Sequence, residues 1–305
     1  MSESSHCHRA KPLVQTGVSV ADADGLGRNG LCPDWLRPDW PAPAQVHALC
    51  STRAGGVSTG AFASMNLGAH VGDAPEAVAI NRERLQAALQ HTTPGARPVF
   101  LNQVHGASVL ELESGVSDGA CADAAVTSRA GMACTIMVAD CLPVLITDRQ
   151  GRAVAAAHAG WRGLVGGVLE SILERFMALA LIDRTLGATQ IRANGALTAA
   201  DLLIWLGPCI GPQAFEVGAE VREAFCAVNA QAAAHFAPQA SGKYLADLPA
   251  LARQRLAALG VSQVYGNDGT DAWCTVAQTS RFFSHRRDGG PSGGTGRMAA
   301  CIWLG

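Results

Sequence analysis

Apolar positions along this chain recur with two periods, and the switches between them outline its elements. Val46–Ser51 reads as a strand, followed by a Gly/Ser loop running from Arg53 to Gly60. Asp73 stands near the start of an amphipathic helix with Val78, Leu85 and Leu89 on one stripe. Val99–Val104 and Val109–Leu112 read as strands. Cys134–Val138 and Leu142–Thr147 are two apolar runs separated by Ala139-Asp140-Cys141. Ala153–Ala157 is a strand of small residues. It runs into His158-Ala159-Gly160-Trp161-Arg162-Gly163 and then one long helix with Leu164, Val168, Ile172 and Phe176 at helical spacing. Leu202–Leu206 is a further strand, Val217–Val228 and Tyr244–Leu259 read as helices, and Val261–Tyr265 and Arg297–Leu304 read as closing strands. Strands alternating with long helices predict an α/β (mixed α+β) fold in one layered domain. No internal repeat is visible.

The pattern divides the chain into a flexible N-terminal arm, residues 1–43, and a catalytic domain, residues 44–305. The arm is rich in Ser, Ala, Asp and Gly and closes with the Pro-rich run Pro38 to Pro43. His6-Cys7-His8 offers metal-binding side chains there, but the composition favours a solvated tail that contributes nothing to the core.

Composition narrows the function classes. Of 305 residues, 49% are hydrophobic and 16% charged, enough apolar surface for a buried core and against a disordered chain. A formal net charge of −2 provides no basic footprint for nucleic acid or anionic membrane. No apolar run approaches the ~18 residues of a transmembrane helix, and the N-terminus lacks the apolar region of a secretory signal. Ten cysteines without a C-x-x-C pair read as mostly buried thiols plus a ligand or nucleophile. A cytoplasmic protein is expected.

Several motifs are missing. There is no Rossmann G-x-G-x-x-G, no Walker P-loop and no H-E-x-x-H, and Pro208-Cys209 lacks the second cysteine of a base-deaminase signature. Gly56-Val57-Ser58-Thr59-Gly60 matches the G-x-S-x-G nucleophile elbow. Ser58 lies well past the strand, however, so the strand-to-helix turn that motif needs is absent.

Three polar residues stand at the ends of apolar strands: His105, Cys141 and His158. Strand ends are where α/β folds place their sites. Two imidazoles and a thiolate are borderline-soft ligands suited to Zn²⁺, with Cu²⁺ as the alternative, and three protein ligands leave a fourth position open. Taken singly, each also fits a satisfied buried residue. Arg53, Arg162 and Arg297 adjoin Gly-containing turns and, with Arg286 and Arg287, are candidates for an anion cradle. Asp123 and Asp140 are candidate acid/base or orienting carboxylates; Asp140 would face away from Cys141 if that segment were extended.

Read together, these segments resemble the YfiH, or laccase-domain (polyphenol oxidase-like), family of purine nucleoside phosphorylases. The matching pieces are Ser51-Thr52-Arg53-Ala54-Gly55-Gly56-Val57-Ser58, Asn66-Leu67-Gly68, Gln103-Val104-His105-Gly106, Ala139-Asp140-Cys141-Leu142-Pro143-Val144 and His158-Ala159-Gly160-Trp161-Arg162-Gly163. Leu206-Gly207-Pro208, Ile210-Gly211-Pro212, Phe215-Glu216-Val217-Gly218, Arg286-Arg287-Asp288 and Thr295-Gly296-Arg297-Met298-Ala299 continue the series in family order. Ser284-His285 departs from the usual Ser-Tyr, and the segment 289–294 is longer than usual.

The resemblance implies a four-layer domain related to bacterial toxin cysteine hydrolases, with Zn²⁺ held by His105, Cys141 and His158. It implies phosphorolysis of adenosine, inosine and S-methyl-5′-thioadenosine together with adenosine deaminase activity. His105, Cys141, His158 and Asp140 are then the expected catalytic residues, and Arg53, Asn66, Asp123, Arg162 and Arg297 the candidates for substrate or phosphate. Expected partners are purine nucleosides and phosphate, with a second copy of the chain as a candidate and no nucleic acid or membrane. Two other readings stay open: a Cys-His hydrolase acting on cell-wall precursors, with Cys141 as nucleophile, and a copper-dependent phenol oxidase.

Overall fold

The computed structural model describes residues 32, 34–183, 190–191, 197–240, 242–290 and 294–305; the His6-Cys7-His8 segment and the middle of the 289–294 segment lie outside them. In chain order the elements are β1 (Val46–Cys50), α1 (Pro75–Thr92), β2 (Arg97–Phe100), β3 (Val109–Glu111), β4 (Ala124–Thr127), β5 (Met132–Val138), β6 (Leu142–Asp148) and β7 (Val154–Ala159). Then come α2 (Trp161–Val165), α3 (Val168–Ala180), β8 (Ile182–Asp183), β9 (Gln190–Ile191), β10 (Leu202–Leu206), β11 (Glu216–Val217) and α4 (Ala219–Val228). The chain closes with β12 (Phe236–Pro238), β13 (Tyr244–Ala246), α5 (Leu248–Ala258), β14 (Val264–Gly266), α6 (His285–Asp288) and β15 (Met298–Leu304).

Two sheets stack face to face. The smaller has the order β1-β15-β5-β2 and the larger β14-β10-β6-β7-β4-β3. Alternation along each strand sorts its side chains into three apolar layers. Along β5, Cys134, Ile136 and Val138 point between the sheets, where they meet Leu145, Ala156, Trp205 and Ile302. Ala133 and Met137 point the other way, onto Leu85 and Leu89 of α1. The far face of the larger sheet packs Leu142, Val144 and Ile146 against Ile172 and Phe176 of α3 and Leu251 of α5. The result is helix, sheet, sheet, helix. Every residue of β6 and β10 is buried, which is why both read as unbroken apolar runs rather than alternating ones. Among the described residues, no helix is long and apolar enough to cross a membrane.

Four expectations need correction. The arm does not extend unpacked to residue 43: Leu36 and Cys50 exchange backbone hydrogen bonds of 2.8 Å each, and buried Trp35 donates Nε1–H to Ala54 O. Apolar side chains inside a polar, Pro-rich segment are enough to bind it to β1. The long helix after His158 is broken at Gly166-Gly167, where Gly167 adopts φ 90°, a backbone setting that ends one helix and starts the next. The strand expected over Ala153–Ala157 spans Val154–Ala159, so His158 sits inside β7. The helix expected from Tyr244 starts only at Leu248, because Asp247 caps it by accepting the N–H of Ala250, with Pro249 in the first turn; Tyr244–Ala246 is a strand.

Candidate metal centre and cavity

The link between the two sheets carries two of the candidate residues, Asp140 and Cys141. Val138 ends β5 in the smaller sheet, Leu142 begins β6 in the larger, and Ala139-Asp140-Cys141 crosses between them. In the antiparallel pairing of β6 with β7, Pro143 faces His158 and Leu142 faces Ala159, so Cys141 and His158 lie at the same end of the larger sheet. His105 arrives from the loop between β2 and β3. Its backbone sits at φ 60° and that of Asp140 at φ 96°, both in the left-handed region that side-chain-bearing residues rarely occupy.

Each unusual backbone is held by a carboxylate. Asp123, fully buried, accepts hydrogen bonds from the main-chain N–H groups of Val104 (3.2 Å), His105 (2.9 Å) and Gly106 (2.6 Å). The same carboxylate meets His158 Nδ1 at 2.8 Å. Asp140 accepts from Thr275 Oγ1 (2.5 Å) and from the main-chain N–H of Arg286 (2.6 Å). It is a turn residue rather than an extended one, so it does not simply face away from Cys141: its carboxylate lines the cavity while tying three segments together.

The nitrogen and sulfur atoms of His105, Cys141 and His158 all lie within 4.8 Å of one another. Cys141 Sγ is 3.8 Å from His105 Nε2. A tetrahedral zinc, with bonds of ~2.0–2.3 Å, sets neighbouring ligand atoms roughly 3.5 Å apart, so the donor set fits such an ion with little adjustment. With Nδ1 bonded to Asp123, His158 turns Nε2 toward this cluster, the outer-sphere arrangement common to metal-bound histidine. Gly160 leaves the necessary room: a Cβ there would stand 2.8 Å from Cys141 Sγ and 3.2 Å from His105 Cδ2.

Without a metal the same groups form an ion pair. Burial opposes ionisation of Cys141, but the adjacent His158 charge and hydrogen bonds from both imidazoles bring the thiol down to about 6. Burial would likewise depress His158; the Cys141 charge and the bond to Asp123 carry it up to about 9. For Asp123, burial works upward, but hydrogen bonds from His158 and the Gly106 N–H hold the carboxyl below its ordinary value.

The three donors lie in a cavity of about 350 Å³. Arg162, Arg286 and Arg297 line it, as do the apolar Met137, Ile210 and Phe215. Three of the expected substrate residues sit outside the lining, fully buried Asp123 among them, bonded to His158 Nδ1. Arg53 is not in the lining: its guanidinium donates to Ala63 O and Thr279 O and packs over the Phe283 ring. Buried Asn66 acts through the backbone, accepting the N–H of Gly68 and of Arg297.

A family model described as multi-copper polyphenol oxidoreductase laccase matches residues 47–305. The chain belongs to this family. Laccase-domain relatives align with it over nearly their whole length. A purine nucleoside phosphorylase of Pseudomonas aeruginosa is 49% identical over 271 residues, 88% of this chain and 98% of the relative. The purine nucleoside phosphorylase YfiH of Escherichia coli is 49% identical over 267 residues, 88% of this chain and 97% of the relative. Among solved structures, a Neisseria meningitidis protein superposes with TM-score 0.76 at 46% identity, covering 89% of this chain and 99% of that one. YlmD of Geobacillus stearothermophilus does so with TM-score 0.74 at 32% identity, covering 88% and 96%.

Within this laccase-domain cavity His70, Gln103 and Phe215 are lining residues with no site role expected from the sequence, although Gln103 and Phe215 belong to matched pieces. Gln103 brackets Met137, donating Nε2–H to its O and accepting its N–H, both at 2.8 Å. It adjoins the Val104-His105 pair, a signal that was available. His70 follows the matched Asn66-Leu67-Gly68 piece by two residues, but nothing in local pattern tells a cavity histidine from a loop histidine.

Proposed function

We propose that this protein is a zinc-dependent, cytoplasmic purine nucleoside phosphorylase acting on adenosine, inosine and S-methyl-5′-thioadenosine, and that the same centre deaminates adenosine. One observation carries the phosphorolytic reading. Three guanidinium groups, of Arg162, Arg286 and Arg297, line the cavity of the His-Cys-His cluster, and no described carboxylate forms an ion pair with any of them. Arg152 and Arg287, by contrast, are locked to Asp148 and Asp288. In a chain of net charge −2, three guanidinium groups gathered in one cavity, where Asp140 is the one carboxylate among the described lining residues, suit an anionic co-substrate. The names of the relatives point the same way.

In phosphorolysis an oxygen of hydrogenphosphate bonds to ribose C1′ as the C1′–N9 bond breaks. The bonding pair leaves with the purine, and the proton that hydrogenphosphate carried ends on the base. The arginines bind and orient the dianion beside the developing positive charge on the sugar. Phe215 and Ile210 present an apolar wall for the flat base. Zinc, when bound, supplies Lewis acidity and lowers the pKa of a water toward ~7. Asp123 keeps His158 in one tautomer, and Asp140 holds Cys141 at the sheet junction. In deamination the oxygen of water ends on purine C6 and ammonia leaves.

A second reading rests on the same residues. Cys141, His158 and Asp123 stand in the order of a thiol nucleophile, its base and an orienting carboxylate. A phenol oxidase fits less well, since among the described residues this is the one cluster of three potential ligands. Incubation of purified protein with adenosine, inosine and methylthioadenosine, with and without phosphate, separates these readings. Phosphate-dependent release of free base, with one zinc per chain by elemental analysis, is expected. Base release independent of phosphate, or none, overturns the phosphorylase.

A further inference from the structure

The cavity holds many donors for a phosphate and few acceptors. Arginine side chains donate only. Hydrogenphosphate carries one O–H, which needs an acceptor when the anion leaves water. Gln103 has both ends of its amide tied to Met137. Asp140 is already engaged by Thr275 and Arg286, and a second anion against its charge is unfavourable. His105, Cys141 and His158 face one another as the donor cluster. Among the side chains of the described lining residues, the acceptors left are the imidazoles of His70 and His285.

Of these two, the backbone couples His70 to an arginine. Asn66 Oδ1 accepts the N–H of Gly68 and, at 2.8 Å, the N–H of Arg297. Leu67 N–H donates to Arg297 O at 3.0 Å. Asn66 Nδ2–H reaches Asp73 at 2.9 Å, closing the loop that carries His70. The loop is thus pinned at both ends, with its anchor on Arg297. His285 sits on the one-turn helix α6 beside Arg286, whose main-chain N–H is held by the Asp140 carboxylate at 2.6 Å, so a bound dianion there would lie next to a like charge.

We infer that His70 and Arg297 together form the phosphate subsite of this cavity, the guanidinium gripping the anion and the imidazole accepting its O–H. This rests on the phosphorylase reading above. Partial burial, then the charges of Arg297 and Arg82, lower the pKa of His70, which favours the neutral ring such a bond requires. The arrangement also selects against a bare divalent oxyanion such as sulfate, which has no proton to donate.

The test is binding of inorganic phosphate to the metal-loaded protein, read by ³¹P NMR titration and by thermal upshift, beside the phosphate dependence of turnover. His70→Ala is expected to weaken phosphate binding roughly tenfold, the size of one lost hydrogen bond to a charged group. His70→Gln, which keeps an acceptor, restores most of it. His70→Lys, which adds a cation and removes the acceptor, does not, and sulfate binds wild type more weakly than phosphate. Unchanged phosphate binding in a folded His70→Ala protein overturns the inference, as does rescue by lysine or absence of saturable binding to wild type. Phosphate binding that depends on His70 without any nucleoside cleavage overturns the phosphorylase reading instead and leaves the subsite standing.

Discussion

Oδ1 of Asp123 meets His158 Nδ1 at 2.8 Å, and the same oxygen accepts the main-chain N–H of His105 at 2.9 Å, so one buried carboxylate orients two of the three donors. Asp123→Asn keeps the shape but halves the accepting capacity, because an amide nitrogen must then face an N–H or the His158 ring. Loss of such outer-sphere support weakens metal binding about 10–100-fold. Zinc competition with a calibrated chelator checks this, with circular dichroism confirming a native fold.

Gly160 tests the fit of the cluster from the other side. Its φ of −64° and ψ of 161° suit alanine, so Gly160→Ala acts through the added methyl alone. That methyl would stand 2.8 Å from Cys141 Sγ. Zinc content well below one per chain is expected while far-UV dichroism stays native. Full occupancy in the variant would place the metal ligands elsewhere.

The Cys141 thiol gives a pH signature in metal-stripped protein. Its folded value is depressed to about 6, so the thiolate is present above that pH and is lost as pH falls through it. Iodoacetamide labelling of the Cys141 peptide, followed by mass spectrometry, is expected to have its midpoint near pH 6. Zinc-loaded protein is expected to resist labelling across the same range. A midpoint in the ordinary thiol range near ~8.5 would show that the imidazolium contact is absent in solution.

Arg53 carries the opposite expectation from the one its sequence context suggested. It bridges Ala63 O and Thr279 O outside the cavity, and a lysine cannot hold both carbonyls with one nitrogen while packing over Phe283. Arg53→Lys is expected to cost about 1 kcal/mol of stability and to leave the phosphate dependence of turnover at the wild-type value. A raised phosphate requirement would return Arg53 to the site.

The N-terminal segment makes a fifth test. A chain beginning at Ala44 loses buried Trp35 and the Leu36–Cys50 pairing that a chain beginning at Cys32 keeps. Removing a buried aromatic costs about 3–5 kcal/mol. Thermal denaturation of the two truncations is expected to separate them clearly; equal melting temperatures would show that the segment adds nothing to the core.

Local pattern carried much of this fold. The runs that became β6 and β10 stand out because both faces are covered, and the α3 stripe because only one is. Boundaries failed where a single polar contact decides them, as at Asp247, whose carboxylate fixes the start of α5 at a point periodicity does not mark. The site divides along the same line. The three donors are legible because their residue types and small flanking residues are local properties, although His105 lies in the loop after β2 and His158 inside β7 rather than at the strand ends expected. The work of Asp140, Asn66 and Arg53 is not, because Asp140 finds Thr275 across 135 positions, Asn66 finds Arg297 across 231, and Arg53 finds Thr279 across 226.

The placement of β15 has a consequence for how the protein comes to exist. The last strand of the chain lies inside the smaller sheet, with β1 on one side and β5 on the other. During synthesis β1 and β5 therefore wait, unpaired with each other, until residues near 304 have left the ribosome. Pairing over such separations is slow, and the exposed strand edges invite association in the meantime. Arg297 stands directly before that strand, so its place in the cavity lining is filled only once β15 has been made. A nascent chain stalled before β15 would already hold His105, Cys141 and His158 in sequence, yet lack both an inner strand of the smaller sheet and the arginine that shares their cavity.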